Sequence, residues 1–147
     1  MPKPDWESTR RELIETYKIL NHEYRYQDEE ALAAEHGGAS VKEIIRKMRD
    51  DELLFTKALN ERLSGEAMGA SHDKDDTPVI GNEVENETAR ILISQFGSAR
   101  ATSLNAMNSA NDEAWEKTLV DNKNMLELAK DLLENDRQNL KKIYATT

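Results

Sequence analysis

Apolar residues recur along this chain at spacings of three and four, and no useful stretch alternates apolar with polar. The pattern predicts four long helices and no sheet. In the first, Leu13, Tyr17, Leu20 and Tyr24 form one stripe. Its start is placed near Trp6, with Asp5 as cap and Pro4 just before. After Tyr26 the pattern degrades into QDEEALAAEHGG, read either as an extension of this helix or as a short separate one ended by Gly37 and Gly38.

The second helix has the clearest start. Ser40 with Glu43 three residues on forms a capping box, and Val41, Ile44, Ile45, Met48, Phe55 and Leu59 form the apolar stripe. Glu52 falls on that stripe between Met48 and Phe55. The helix is expected to end near Ser64–Gly65. Residues 65–81, GEAMGASHDKDDTPVIG, read as a loop because glycine, proline and acidic residues interrupt the periodicity. Fully extended they would span roughly 55 Å, more than the length of a bundle of about 30 Å. The second and third helices are therefore free to be joined by a crossover.

The third helix is expected from Asn82 or Glu83 to Ser109, with Leu92, Phe96, Leu104 and Met107 on one face and Arg100 among them. Gly97 inside it should cost about 1 kcal/mol against alanine, a hint of close packing. The segment NDEAW reads as a connector. The fourth helix, about Asn122 to Tyr144, carries Met125, Leu128, Leu132 and Ile143 on its apolar side. Continuing the series 125, 128, 132 reaches Asn135 and Asn139, both amides on core-facing positions.

With 147 residues, 37% hydrophobic and 33% charged, the chain reads as a single domain, 1–147, able to bury its own core. It holds 29 acidic against 20 basic residues, a net charge of −9 that repels phosphate backbones. Arg10-Arg11 and Lys141-Lys142 are too short and too mixed with acids to suggest nucleic-acid binding. No apolar run is long enough for a membrane span, and the opening MPKPDWESTRREL has no signal-peptide core. Cysteine is absent, which removes disulfides, thiolate zinc sites and cysteine nucleophiles. These features together point to a cytoplasmic protein.

The candidate chemistry is sparse. His22, His36 and His72 have neither a Glu-x-x-His nor a His-x-x-x-His partner. There is no nucleophile elbow and no glycine-rich phosphate loop. The cluster Asp73, Asp75, Asp76 lacks the glycine turn and downstream glutamate of a calcium loop. What remains is a set of polar residues on or beside the core stripes: Lys47, Glu52, Arg100, Asn135 and Asn139. Burying such groups is costly unless they bond one another. The other reading places them at ragged helix edges with their heads in water.

The segment LLENDRQNLKKI resembles the C-terminal signature of the DinB/YfiT-like bundles, His-Asp-Arg-x-His followed by an apolar residue. Asp136, Arg137 and Leu140 match it, while Asn135 and Asn139 stand at the histidine positions. GGASVKEIIRKMRDDE is similar to the family's second-helix segment, with Lys47 at the first ligand histidine and Glu52 at the acidic residue five positions later. Arg100 and NDEAW are similar to the third helix and the turn after it. The resemblance implies an all-α, DinB/YfiT-like four-helix bundle with a long crossover loop between helices 2 and 3.

Members of that family bind nickel or zinc through three histidines, and several activate small thiols or thiol conjugates. With Lys47, Asn135 and Asn139 at all three ligand positions, the resemblance here implies no metal and no cofactor. It implies a non-catalytic binding or interaction module, taking a small polar ligand into its cavity or forming a homodimer, without nucleic-acid or membrane partners. The alternative is a thiol-type transferase or isomerase that uses the degenerate cavity without a metal. In one account the Lys47 ammonium approaches the former metal position, held by the carbonyls of Asn135 and Asn139 with Glu52 as counter-charge. In the other, the cavity has drifted and Lys47 reaches outward.

Overall fold

The computed structural model describes residues 3–35, 38–64, 87–110, 112–116 and 123–146, and these are all-helical. In chain order they form α1 (Lys3–Tyr24), α2 (Glu29–Ala33), α3 (Val41–Ser64), α4 (Ala89–Ser109), α5 (Asp112–Glu116) and α6 (Met125–Thr146). The loop expected over 65–81 lies outside the described residues, as do His36 and His72. Among the described residues no helix is long and apolar enough to cross a membrane.

Several boundaries differ from the periodicity, each for a local reason. The first helix begins at Lys3, not near Trp6; proline is tolerated in a first turn, where its missing N–H would have had no partner. The QDEEALAAEHGG segment forms the separate short helix α2, capped by Asp28, whose carboxylate accepts from the Ala31 amide. The third long helix is described from Ala89, where Thr88 is extended and caps it through the Ile91 amide; the start expected at Asn82 or Glu83 lies outside the described residues. NDEAW is not a plain connector: its last four residues begin α5. The last helix starts at Met125, where Asn124 and Glu127 form a reciprocal capping box at 2.9 Å each way. The box expected at Ser40 and Glu43 is present, both bonds 3.0 Å long.

The four long helices pack in a closed set: α1 lies against α4 and α6, and α3 lies against the same two. Two apolar clusters share the core. One gathers Leu20 and Tyr24 of α1, Val41 to Met48 of α3, Leu92, Ile93 and Phe96 of α4, and Ile143 of α6. The other gathers Trp6 and Leu13, Leu59, Leu104 and Met107, Trp115, and Met125 to Leu133. Each cluster takes the first half of α3 with the first half of α4, or the second with the second. Hence α3 and α4 run in the same direction, and α1 and α6 run opposite to both. In the second cluster Trp6 and Trp115 meet with ring centroids 5.0 Å apart at 58°, which seats α5 on the end of α1.

Short α2 has a clear mechanical role. Glu29 accepts from the Ala89 amide at 3.1 and 3.2 Å and pairs with Lys42 of α3 at 2.8 Å. Its carboxylate sits where the partial positive charge of the α4 N-terminus favours an anion, so α2 ties the start of α4 to α3. A second tie is the buried pair of Arg49 with Glu87 at 2.5 Å, where Arg49 also donates to Gln95 at 2.8 Å.

The close packing expected at Gly97 is present: a Cβ there would lie 2.4 Å from Cε1 of Tyr17. Gly97→Ala should therefore lower stability in urea unfolding by about 1 kcal/mol or more, since overpacking of typically 1–3 kcal/mol outweighs the propensity gain. In a Tyr17→Leu background the same substitution should stabilise. An unconditional gain would show that the ring yields freely.

Tyr24 is 3% exposed. Burial pushes its phenol up to about 12, with the charges of Glu23 and Tyr144 adding to the shift. A phenol held neutral in the fold contributes stability that is intact below pH 10 and is lost as pH rises toward 12, because the unfolded chain ionises first. Tyr24→Phe should flatten that part of the alkaline unfolding profile, measured as denaturation midpoint from pH 9 to 12. An unchanged slope would show that other groups set it.

Candidate functional site

Between the two apolar clusters lies a layer of polar side chains, one or more from each long helix. Thr16 of α1, Glu52 of α3, Arg100 and Ser103 of α4 and Asp136 of α6 are all buried. They occupy the helix turns where one cluster ends and the other begins. Each lies on its apolar stripe, so the same packing that buries the leucines carries these groups inward.

Arg100, 2% exposed, is the centre. Nη1 and Nη2 each donate to one Asp136 oxygen at 2.9 Å, a bidentate grip. Nη2 also donates to Glu52 Oε1 at 3.0 Å and Nη1 to the Leu13 carbonyl at 2.8 Å. Nε lies 3.0 Å from Glu52 Oε2 but off the hydrogen-bonding line, so that contact is an ion pair alone. The guanidinium also lies over the Phe96 ring, 4.8 Å from its centroid. Both carboxylates receive one more donor: the Thr16 hydroxyl to Asp136 at 2.7 Å and the Ser103 hydroxyl to Glu52 at 2.6 Å.

Two carboxylates and one guanidinium leave the group with a net charge of −1. The two hydroxyl donors offset part of that surplus, as hydrogen bonding to a charged form does generally. Burial on its own would lower the Arg100 pKa; the Coulombic pull of Glu52 and the bonds from Asp136 outweigh it and raise it above the ordinary arginine range. The cation is permanent. It leaves neither carboxylate open to a substrate.

Of the five residues singled out in the sequence, the structure joins two. Glu52 and Arg100 meet directly. Asn139 is 2% exposed, and its Nδ2 is buried without a hydrogen-bond acceptor; Asn135, one turn before, is half-buried. Lys47 goes elsewhere: its ammonium pairs with Asp51 at 2.6 Å, and its side chain is 60% exposed. The expectation that Lys47 approaches the asparagines with Glu52 as counter-charge is therefore corrected. Lys47 sits beside the stripe, not on it, and an exposed pair one turn along spares the ammonium the cost of burial. Glu52 is already committed to Arg100.

Asp136 was available only as part of a motif, although it lies three residues after Leu133 and seven after Ala129, both buried. Extending the series through Leu132 favoured position 135, whereas the buried face runs through 129, 133 and 136. Thr16 sits between Leu13 and Leu20 at the right spacings, but a threonine on an apolar stripe draws no notice. Arg49, 1% exposed, shares the α3 stripe with Ile45 and Glu52, and its partner Glu87 precedes α4.

Two grooves open elsewhere. One of about 500 Å³ runs between α3 and α4, lined by Leu53, Thr56, Ser94, Gln95, Ser98, Ala99 and Thr102. The other, about 400 Å³, lies between α1 and α6 and includes Asp5, Glu12, Lys130 and Arg137. None of the five residues lines either. Among the described residues no three His, Cys, Asp or Glu side chains come together in a way that could hold a metal ion. No protein-family model matches the chain, and no curated protein or solved structure matches it.

Removing the cation should expose the cost of this layer. Arg100→Met leaves two carboxylates buried together and should lower unfolding stability by about 3–5 kcal/mol. The triple variant Glu52→Leu, Arg100→Met, Asp136→Leu should recover most of that loss, because no buried charge remains. Failure of the triple variant to recover would mean that packing shape, not charge, sets the penalty in chemical denaturation.

Proposed function

We propose that this chain is a metal-free member of the DinB/YfiT-like group, working as a non-catalytic binding or interaction module. The observation that carries the reading is the commitment of the inward-facing ionisable groups. Glu52 and Asp136, the carboxylates that a metal or a general acid would use, are both held by Arg100 and capped by hydroxyls. Lys47, the residue a metal-independent transferase would most readily use as base or nucleophile, is exposed and paired with Asp51. No observation favours that alternative.

The four-helix bundle with a crossover is part of the same proposal. Parallel α3 and α4 support it, since parallel neighbours cannot be joined by the short turn that serves antiparallel ones. Asn135 and Asn139, at the positions where the resemblance implies histidines, offer amides instead of imidazoles. A buried Nδ2 donor at Asn139 suits a neutral acceptor and opposes a cation.

Metal analysis of protein purified without a histidine tag checks this reading. The expected outcome is no stoichiometric nickel, zinc or iron, and no gain in thermal midpoint on adding any of them. One bound equivalent, released by Asn139→Ala, would overturn the proposal and return the chain to metal chemistry.

A further inference from the structure

The outward edge of α3 carries a charge pattern with an unusual symmetry. Arg46, Asp50, Leu53, Leu54, Lys57 and Glu61 follow one another at helical spacings and form a stripe along the side of α3 next to the α3–α4 groove. Reversed about the point between Leu53 and Leu54, the stripe maps each charge onto its opposite. Arg46 falls on Glu61, Asp50 on Lys57, and Leu53 on Leu54. Two copies of α3 laid antiparallel about a twofold axis at that point would therefore oppose only unlike charges, with leucines at the centre.

Further features of the same face support this pairing. Leu54 is 57% exposed, the most exposed aliphatic side chain among the described residues. Leu53 lines the groove of about 500 Å³ that it would help to close. Beside the stripe, α4 from Ile91 to Ser109 contains one ionisable residue, Arg100, and that one is buried. The outer face of α4 is thus uncharged, with Ser98 and Thr102 small enough for close approach. The chain as a whole carries −9, so two copies repel over most orientations. This face pairs two cations with two anions on α3 and meets a stretch of α4, from Ile91 on, that carries no exposed charge; Arg90 stands at its end.

We infer that the α3–α4 face is a twofold interface between two copies of this chain, centred on Leu53 and Leu54 and flanked by reciprocal Asp50–Lys57 and Arg46–Glu61 pairs. The inference rests on reading the chain as an interaction module and names a second copy as the partner. The flanking charges already have neighbours within the chain. Asp50 accepts from Arg49 at 2.7 Å, and Arg46 lies 3.8 Å from Glu87. Their part in the interface is to select the antiparallel register, while the leucines supply the buried area.

Sedimentation equilibrium on the full chain tests this. The wild type should dimerise, and Leu54→Glu should raise the dimer Kd by about thirtyfold or more, as for loss of a central anchor, with the thermal midpoint unchanged when both proteins are diluted below the wild-type Kd. Asp50→Lys and Lys57→Asp should each weaken self-association, because each sets like charges opposite one another. Mixed together, the two variants should form a heterodimer stronger than either homodimer. A monomeric wild type at 100 µM (about the upper range for a specific weak dimer), or a dimer indifferent to Leu54→Glu and to the charge variants, would overturn the inference. Recovery of neither single variant on mixing would do the same. None of these outcomes bears on metal content, so the function proposed above stands or falls by its own measurement.

Discussion

A buried guanidinium clasped by two carboxylates sets the geometry of this molecule. Moving such ions out of water costs several kcal/mol each, and their attraction repays that only when the angles and distances are good. Arg100 meets the condition by taking partners from three other helices: Leu13 of α1, Glu52 of α3 and Asp136 of α6. A slip of any one helix by a single residue would remove its contribution and strand a buried charge. The two apolar clusters on either side provide the favourable energy. The polar layer between them decides which of many compact packings those clusters adopt.

Two further charged ties act at the end where α4 begins. Arg49 with Glu87, and Glu29 with Lys42 and the Ala89 amide, hold the start of α4 against α3 and α2. This is the place where parallel helices, which share no short turn, need an external constraint on their relative height. Gly97 serves the opposite contact, letting the Tyr17 ring lie on the backbone of α4. In each case a residue with apparent chemical potential is used as a fastener.

That use of charge shapes the functional reading. Glu52 and Asp136 are satisfied inside, and Lys47 is exposed and paired. The surface retains the less committed features: an uncharged helix face, an exposed leucine and a stripe whose charges are complementary to its own reverse. Recognition by shape and charge register is the function we propose for it.

Periodicity was sufficient for the helices themselves, since a 3.6-residue repeat of apolar side chains and a Ser40–Glu43 box are local properties of the chain. It also brought Glu52 and Arg100 into view, because each lies on a stripe. It misjudged a helix start where the deciding group is unremarkable, as with Pro4 accommodated in the first turn of α1. It passed over Asp136, since the choice between a face through 132 and one through 133 depends on which neighbours α6 meets. The charge-reversal along α3 is written in the sequence too, but its meaning requires knowing that this edge faces outward beside the α3–α4 groove. By itself the sequence determined that the chain is helical and that polar groups interrupt its apolar stripes; that Glu52, Arg100 and Asn139 are buried came from the structure. Only the tertiary structure decided that Arg100 joins two carboxylates and that Lys47 turns away, because pairing among distant charges is settled by the packing of helices and not by spacing within one.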